Sequence, residues 1–424
     1  MTAATAVVQE AREIVAARRG RVLGVLYVLL GIAILVLFAR GVDAGLQTKF
    51  GMNPGRRSEA IRIPDLVVPT RNTLYLLTAL SIALGIWQLS RPGRPANWML
   101  GLCSLFFVLS FLTWAARDRS LNMVGMLEST LLRATPIALA ALSGVMCERS
   151  GVVNIAIEGM MLAAACTCTV VGSLTHNLWV ALLSALLAGG LLGGLLAILA
   201  IKFKVDQVIS GTAINILATG ATSFISARFL ARFQELNNPG KFTGVPIPLL
   251  SKIPVIGPIF FENNVVLYLM LILLVVMHVM LFYTRWGLRT RAVGEHPRAA
   301  DTLGIDVFKI RYVNVILGGM VGGLSGAWLI LGSVGRFDEL MTAGKGFIGL
   351  AAMIFGKWTP LGAFSSSLLF GFADSLQAKL QILRVPIPSE FLLMAPYLVT
   401  MVALAGVVGR AVAPAADGEP YEKQ

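Results

Sequence analysis

Glu148-Arg149-Ser150-Gly151-Val152-Val153-Asn154-Ile155-Ala156-Ile157-Glu158-Gly159 lies between two long apolar runs. Gly151 and the β-branched pair Val152-Val153 disfavour an uninterrupted helix there. Asn154 and Glu158 stand four residues apart, so within a helix they share one face. A carboxylate inside a bilayer costs about 2.5–3.5 kcal/mol on insertion scales, and it normally faces a cavity or a partner. The stretch therefore reads as the polar entry to a transmembrane helix, with Asn154 and Glu158 lining a path. A loop with ordinary interfacial charges is the alternative.

Working outward, composition sets the class. Of 424 residues, 56% are hydrophobic and 13% charged, whereas a soluble domain carries about 25% charged residues. Apolar runs of about 18 or more residues recur, each long enough to cross a hydrocarbon core about 30 Å thick. They do not alternate polar and apolar residues as barrel strands do. The chain reads as an all-α polytopic membrane protein. Its net charge of +13 is the excess of Lys and Arg expected of cytoplasmic loops, not a nucleic-acid footprint. Cys103, Cys147, Cys166 and Cys168 lie in or beside apolar runs, and His176, His278 and His296 are scattered. No metal, cofactor or nucleophilic site emerges.

In chain order, expected spans are 22–39, 73–89, 97–115, 131–147, 152–174, 178–201, 208–233, 265–283, 310–331, 361–380 and 391–409, with a short apolar piece at 344–355. That piece is too short for an upright span and reads as a half-helix or re-entrant segment. Counting it gives about twelve segments, within a range of 10–12, with both termini inside. Arg40 to Asn72 reads as a polar loop, and 234–263 as a proline-rich loop without regular helix. Gly189, Gly190, Gly193 and Gly194 form overlapping small-xxx-small pairs, and Gly318, Gly322 and Gly326 share a face; both patterns mark close helix packing. Thr212, Asn215, Thr219, Thr222 and Ser226 form one helical stripe, which fits either a polar path or interhelical hydrogen bonding. Asp374 reads as a buried acid with a polar partner nearby, on its own helix or a facing one.

A second constellation is Arg291 to Ile305. Pro297 suits the first turn of a short helix and Gly304 its end, with Ala299 and Ala300 small on its surface. Six basic residues against three acids between Arg285 and Arg311 place it in the cytoplasm. Such a helix can enter a groove of another protein; a solvated topological loop is the bland alternative.

Three segments carry a resemblance: Glu148–Gly159, Gly294–Ile305, and Gly344-Lys345-Gly346-Phe347-Ile348 running to Phe355-Gly356-Lys357-Trp358-Thr359-Pro360-Leu361-Gly362. In these the chain resembles permease subunits of ABC importers of the branched-chain amino acid and ribose type, which transport simple sugars and nucleosides. The Glu-Arg-Ser-Gly-Val-Val-Asn-Ile form is most similar to one of the two permeases of nucleoside importers fed by Bmp-type lipoproteins.

The resemblance implies a type II-like permease fold over about 121–410, preceded by an extension at 1–120 with about three spans and followed by a polar tail at 411–424. It implies a separate ABC ATPase that binds a coupling helix carrying Gly294, Glu295, Pro297, Ala299, Ala300 and Gly304. It further implies a second homologous permease that completes the translocation path and an extracytoplasmic substrate-binding lipoprotein; from the polar faces above, Asn154, Glu158, Asn215, Thr219 and Thr222 are the residues expected to line that path. The chain itself has no Gly-x-x-x-x-Gly-Lys-Ser/Thr loop. Thr342-Ala343-Gly344-Lys345-Gly346 lacks both the upstream glycine and the following hydroxyl, so the permease is not the ATP-hydrolysing chain. A sugar permease is the nearest alternative. An ion-coupled carrier using Glu158 or Asp374 is another, and an intramembrane enzyme a third, the latter opposed by the lack of paired catalytic carboxylates.

Overall fold

The computed structural model describes residues 3–56, 58, 60–93, 97–383, 385, 388, 391, 394 and 412–423, with side chains from residue 15 onward except at 97. The span expected at 391–409 lies outside the described residues apart from Phe391 and Met394. Among them, nine helices are long and apolar enough to cross a membrane. The chain divides into two compact units: Met1–Arg57, Arg62–Val124 and Lys379–Ile387 form one, and Ser58–Ile61, Gly125–Ala378 and Pro388–Gln424 the other.

In the first unit, α1 (Ala3–Ile34), prolonged by a π turn at Leu35–Ala39, packs along α2 (Thr70–Ser90), with α3 (Asn97–Ala115) beside them. Gly24 and Gly31 of α1 meet Leu89 and Ile82, and Gly85 of α2 meets Val28, so the two backbones run close together. The segment Arg40–Asn72, expected as a loop, instead contains strands. β1 (Gln47–Gly51) pairs antiparallel with β2 (Leu66–Pro69) and parallel with β3 (Ser120–Asn122). Its polar composition hid a period-two pattern in which Thr48 and Phe50 are buried. The Thr48 hydroxyl lies 2.9 Å from that of Thr70 and donates to Thr113 O at 3.0 Å, tying the sheet to two helices.

α4 (Met123–Glu148) leads into the second unit, which holds α5 (Ile157–Thr175), α6 (Leu178–Ala197), α7 (Gln207–Ile225), α8 (Val265–Tyr283), α9 (Arg285–Glu295), α10 (Pro297–Thr302), α11 (Val307–Ala327), α12 (Lys345–Phe355) and α13 (Pro360–Ile382). Side-chain oxygens start most of them. Asn177, Asp206, Asn264, Thr284 and Asp306 accept first-turn N–H groups of α6, α7, α8, α9 and α11. The proline-rich 234–263 segment contains only short turns and the two-residue strands β4 (Val245–Pro246) and β5 (Glu262–Asn263).

The glycine patterns act as read. Gly189 and Gly193 of α6 face Gly319 and Gly323 of α11; a Cβ on Gly189 would sit 2.3 Å from Gly319 O. The other face of α11 presents Gly318 to Ser143 and Cys147 and Gly326 to Met161. With two glycine faces, α11 is held closely by α4, α5 and α6.

Candidate functional site

The stretch 148–159 is the hub of the second unit. α4 ends at Glu148, and Gly151 turns the chain with φ +84°, a conformation that glycine adopts without strain. The chain stays irregular through Ile155, and α5 begins only at Ile157. The expected helix from 152 is therefore corrected: Asn154 precedes the helix and shares no helical face with Glu158. Asn154 is fully buried, its Nδ2 3.3 Å from Cys147 Sγ and its Oδ1 without a partner among the described residues.

Glu158 does not point at open space. Its carboxylate accepts N–H bonds from Gly344 at 2.8 Å and Gly346 at 2.6 Å, which cap the N-terminus of α12 from another helix. α12 spans 11 residues, about 16 Å at 1.5 Å per residue, or half a bilayer core. This is the half-helix expected from the sequence. Its positive dipole end is neutralised by Glu158, and the Gly-Lys-Gly element serves that cap. At its far end, Trp358 Nε1–H donates to Glu148 at 2.6 Å, and Arg149 donates to Trp358 O at 2.8 Å and Lys357 O at 3.2 Å. Both ends of α12 are thus fastened to the 148–159 hub.

Asn215 performs the same service for α5, whose Ala156 N-cap has no side-chain acceptor. Asn215 Oδ1 accepts Gly159 N–H at 2.7 Å, and its Nδ2 donates to Ile155 O at 2.9 Å. The rest of the α7 stripe is less uniform. Thr212 is exposed, Thr219 half-buried and Thr222 buried, and the Thr212 and Thr222 hydroxyls bond back to their own helix.

At one end of this unit, the 148–156 stretch meets α9, α10 and the chain terminus. α10 starts at Pro297 and is followed by Gly304 with φ +79°, as the Pro and Gly positions imply. Ala299 is exposed. Ala300, expected on the surface, is 2% exposed and packs among Val293, Val307, Ile310 and Tyr421. A six-residue helix lying on the hub has to bury one face, and Ala300 is on it. Gly294 is buried, and a Cβ there would lie 2.3 Å from Arg149 O. Leu303, by contrast, is 81% exposed.

The tail 412–423 is not a free appendage. Ala416 N–H donates to Gly294 O at 2.9 Å, Ala415 N–H to Glu295 at 3.2 Å, and buried Arg311 to Glu419 O at 2.9 Å. Lys204 pairs with Glu422 at 2.5 Å, and Tyr421 joins the Ala300 cluster. Asp417 lies against Glu148; burial pushes its carboxyl up to about 7, against the lowering contacts of Glu148 and Arg311. No local signal in a short polar tail reveals this docking, since its partners lie more than a hundred residues away.

At the opposite end, a cavity of about 900 Å³ lies among His176, Gln234, Asn237, Arg336 and Asp338. Asn237 and Phe337 exchange hydrogen bonds of 3.0 and 2.7 Å there. Asp374, half-exposed rather than buried, pairs at 2.8 Å with Arg133 of the facing helix α4. Arg133 falls within the apolar span expected at 131–147, where one cation does not break the run.

The family model for branched-chain amino acid transport system permease components matches residues 126–409. The chain belongs to this permease family. The permease is 44% identical over 309 residues to the guanosine ABC transporter permease NupQ of Bacillus subtilis, covering 70% of this chain and 95% of that relative. It is 40% identical over 318 residues to the nucleoside ABC transporter permease NupC of Lactococcus lactis, covering 72% and 99%. It is also 27% identical over 272 residues to a second guanosine ABC transporter permease of Bacillus subtilis, NupP, covering 61% and 74%. No solved structure matches it.

Proposed function

We propose that this permease is one of two membrane subunits of an ABC importer for nucleosides. A separate ATPase docks on the α9–α10 elbow from the cytoplasm, and an extracytoplasmic lipoprotein delivers substrate to the cavity at the opposite end. The observation that carries the reading is the elbow itself. It projects Arg298, Ala299 and Leu303 from the unit while Gly294 and Ala300 seat it on the hub. Movement imposed on the elbow reaches Arg149 through Gly294 of α9, and Arg149 holds the end of half-helix α12. Push on the elbow is thereby delivered to a segment ending at about mid-membrane depth.

Two relatives 40% and 44% identical along nearly their whole length carry names for guanosine and nucleoside transport, which favours nucleosides over sugars. NupQ and NupP, both guanosine transporter permeases of one organism, support a heterodimer. Glu158, with both oxygens engaged by backbone N–H groups, shapes the path by holding α12 rather than carrying an ion. The end bearing the elbow, Lys204 and the tail is cytoplasmic by its basic residues, and so is the N-terminus.

The test is ATP-dependent uptake of tritiated guanosine and labelled glucose into vesicles holding the complete complex. Guanosine uptake that requires the ATPase is expected. Uptake driven by an ion gradient without the ATPase would refute the reading, and glucose-only uptake would replace the substrate.

A further inference from the structure

Within the second unit, a cavity of about 680 Å³ opens between α4, the π-helical end of α11 at Trp328–Val334, the start of α12 and α13. Its size is that of small-molecule sites. Arg133 near the middle of α4 and Asp374 of α13 line it, with Lys345, Asp338, Ser333 and Trp328. Val334 and Asp338 also line the 900 Å³ cavity at the end of the unit, so the two spaces adjoin. None of Asn154, Glu158, Asn215, Thr219 or Thr222 lines either one.

The Arg133–Asp374 pair is the notable feature. Its side chains are 41% and 35% exposed, yet Arg133 sits within α4, a helix long and apolar enough to cross a membrane. Half-exposed charges at such depth do not face lipid; they face a cavity or a partner. The pair engages Nη1 and Oδ2. Among the described residues, Asp374 Oδ1 and Arg133 Nη2 have no partner. A bulge of π-helix in the wall, rare in helices and frequent at functional sites, points the same way.

We infer that this cavity is the substrate-recognition site of the path, where Asp374 accepts the vicinal hydroxyls of a ribose and Arg133 donates to the base. The inference rests on the nucleoside reading above. Charge supports it: two cations, Arg133 and Lys345, face two anions, Asp338 and Asp374. A balanced set suits a neutral polar cargo and gives no net attraction to a phosphorylated one. A carboxylate with two acceptor oxygens matches two adjacent O–H donors. Exposed Val334 and half-buried Leu132 and Met341 supply an apolar wall against which a flat base can lie.

A site built to hydrogen-bond hydroxyls rejects analogues lacking one, because its own polar group is left unpaired. The complete complex in vesicles is therefore assayed with tritiated guanosine and 2′-deoxyguanosine. Wild type is expected to favour guanosine by about tenfold or more in KM. Asp374→Asn should bring the two within about twofold, with KM for guanosine raised and protein level unchanged. The charge-swapped double variant R133D/D374R restores an ion pair but not the recognition geometry, so it should recover assembly without recovering the wild-type KM. Full recovery of KM by the swap, or an unchanged preference in Asp374→Asn, would overturn the inference.

If Asp374→Asn gives no uptake, labelling of Ser333→Cys decides. The native cysteines are buried, so a methanethiosulfonate reagent reads the cavity. Slower labelling with guanosine, and less slowing with 2′-deoxyguanosine or guanosine monophosphate, supports the site; no protection by guanosine overturns it. Absence of nucleoside uptake by wild type would instead overturn the functional reading and this inference with it.

Discussion

Replacing Glu158 should loosen the half-helix before it harms the rest of the fold. Its carboxylate accepts two backbone N–H bonds, at 2.8 Å from Gly344 and 2.6 Å from Gly346. Hydrogen bonds to a charged group contribute about 1.5–3 kcal/mol each. Glu158→Leu removes both and strands two N–H donors, a loss of about 3–6 kcal/mol by that measure. Glu158 is half-buried, so water recovers part of this and the lower end, about 3 kcal/mol, applies. Glu158→Gln keeps a carbonyl for one N–H and turns its NH₂ toward the other, costing about 1.5 kcal/mol or more. At 1.4 kcal/mol per factor of ten, opening of α12 should rise about a hundredfold in the Leu variant and about tenfold in the Gln variant. Hydrogen exchange at 344–350, followed by mass spectrometry, reads this directly, with uptake measured on the same samples. Exchange and uptake at wild-type values in Glu158→Leu would refute the cap and the mechanical role assigned to it.

Ala299→Arg should leave the fold intact and reduce co-purification of the ATPase about tenfold or more, whereas Ala300→Arg should lower the Tm and yield of the permease itself, because Ala300 is buried and overpacking costs about 1–3 kcal/mol before the charge is counted. Asp417 rises from 3.8 to about 7 on docking, so the docked tail binds more protons than the free one between those values. The Asp417 contribution to docking, read as the mobility of a spin label at exposed Ala413, should be fully present below about pH 4 and be lost by about pH 7; docking should change less over this range in Asp417→Asn than in the wild type. Gly319→Ala places a Cβ 2.4 Å from Gly189 O and should lower the Tm by the cost of overpacking, about 1–3 kcal/mol, while Gly194→Ala, whose nearest neighbour is 3.9 Å away, should leave it unchanged. A chain beginning at Gly125, after β3, should still insert and support uptake with its partners; loss of uptake despite normal assembly would assign the removed residues 1–124 to the transport path.

Much of the helical layout was legible because a bilayer imposes length and apolarity on each segment separately. The spans at 178–201 and 265–283 differ little from the observed α6 and α8, and capping residues such as Asn264 mark the starts locally. The Pro297 and Gly304 boundaries of α10 were equally local. The glycine faces of α6 and α11 were visible too, since they repeat with helical period, although the sequence did not say that Gly189 and Gly193 meet Gly319 and Gly323. The sheet in 40–72 was missed because β1 and β3 are some seventy residues apart, and strand pairing at that separation leaves no mark in either segment.

The candidate site divides along the same line. That Glu158 and Asp374 are costly in lipid, and that Arg291–Ile305 is a basic elbow, belonged to the sequence, because solvation cost and topology are properties of single residues and short windows. Which groups those carboxylates satisfy was decided only in three dimensions. Glu158 caps α12 from 186 residues away, Asp374 finds Arg133 across 241, and Ala300 turns inward against Tyr421 of a tail that reads as plain solvent-exposed chain. A buried polar group requires a partner, but the chain's order does not record which distant segment folding brings within 3 Å of it.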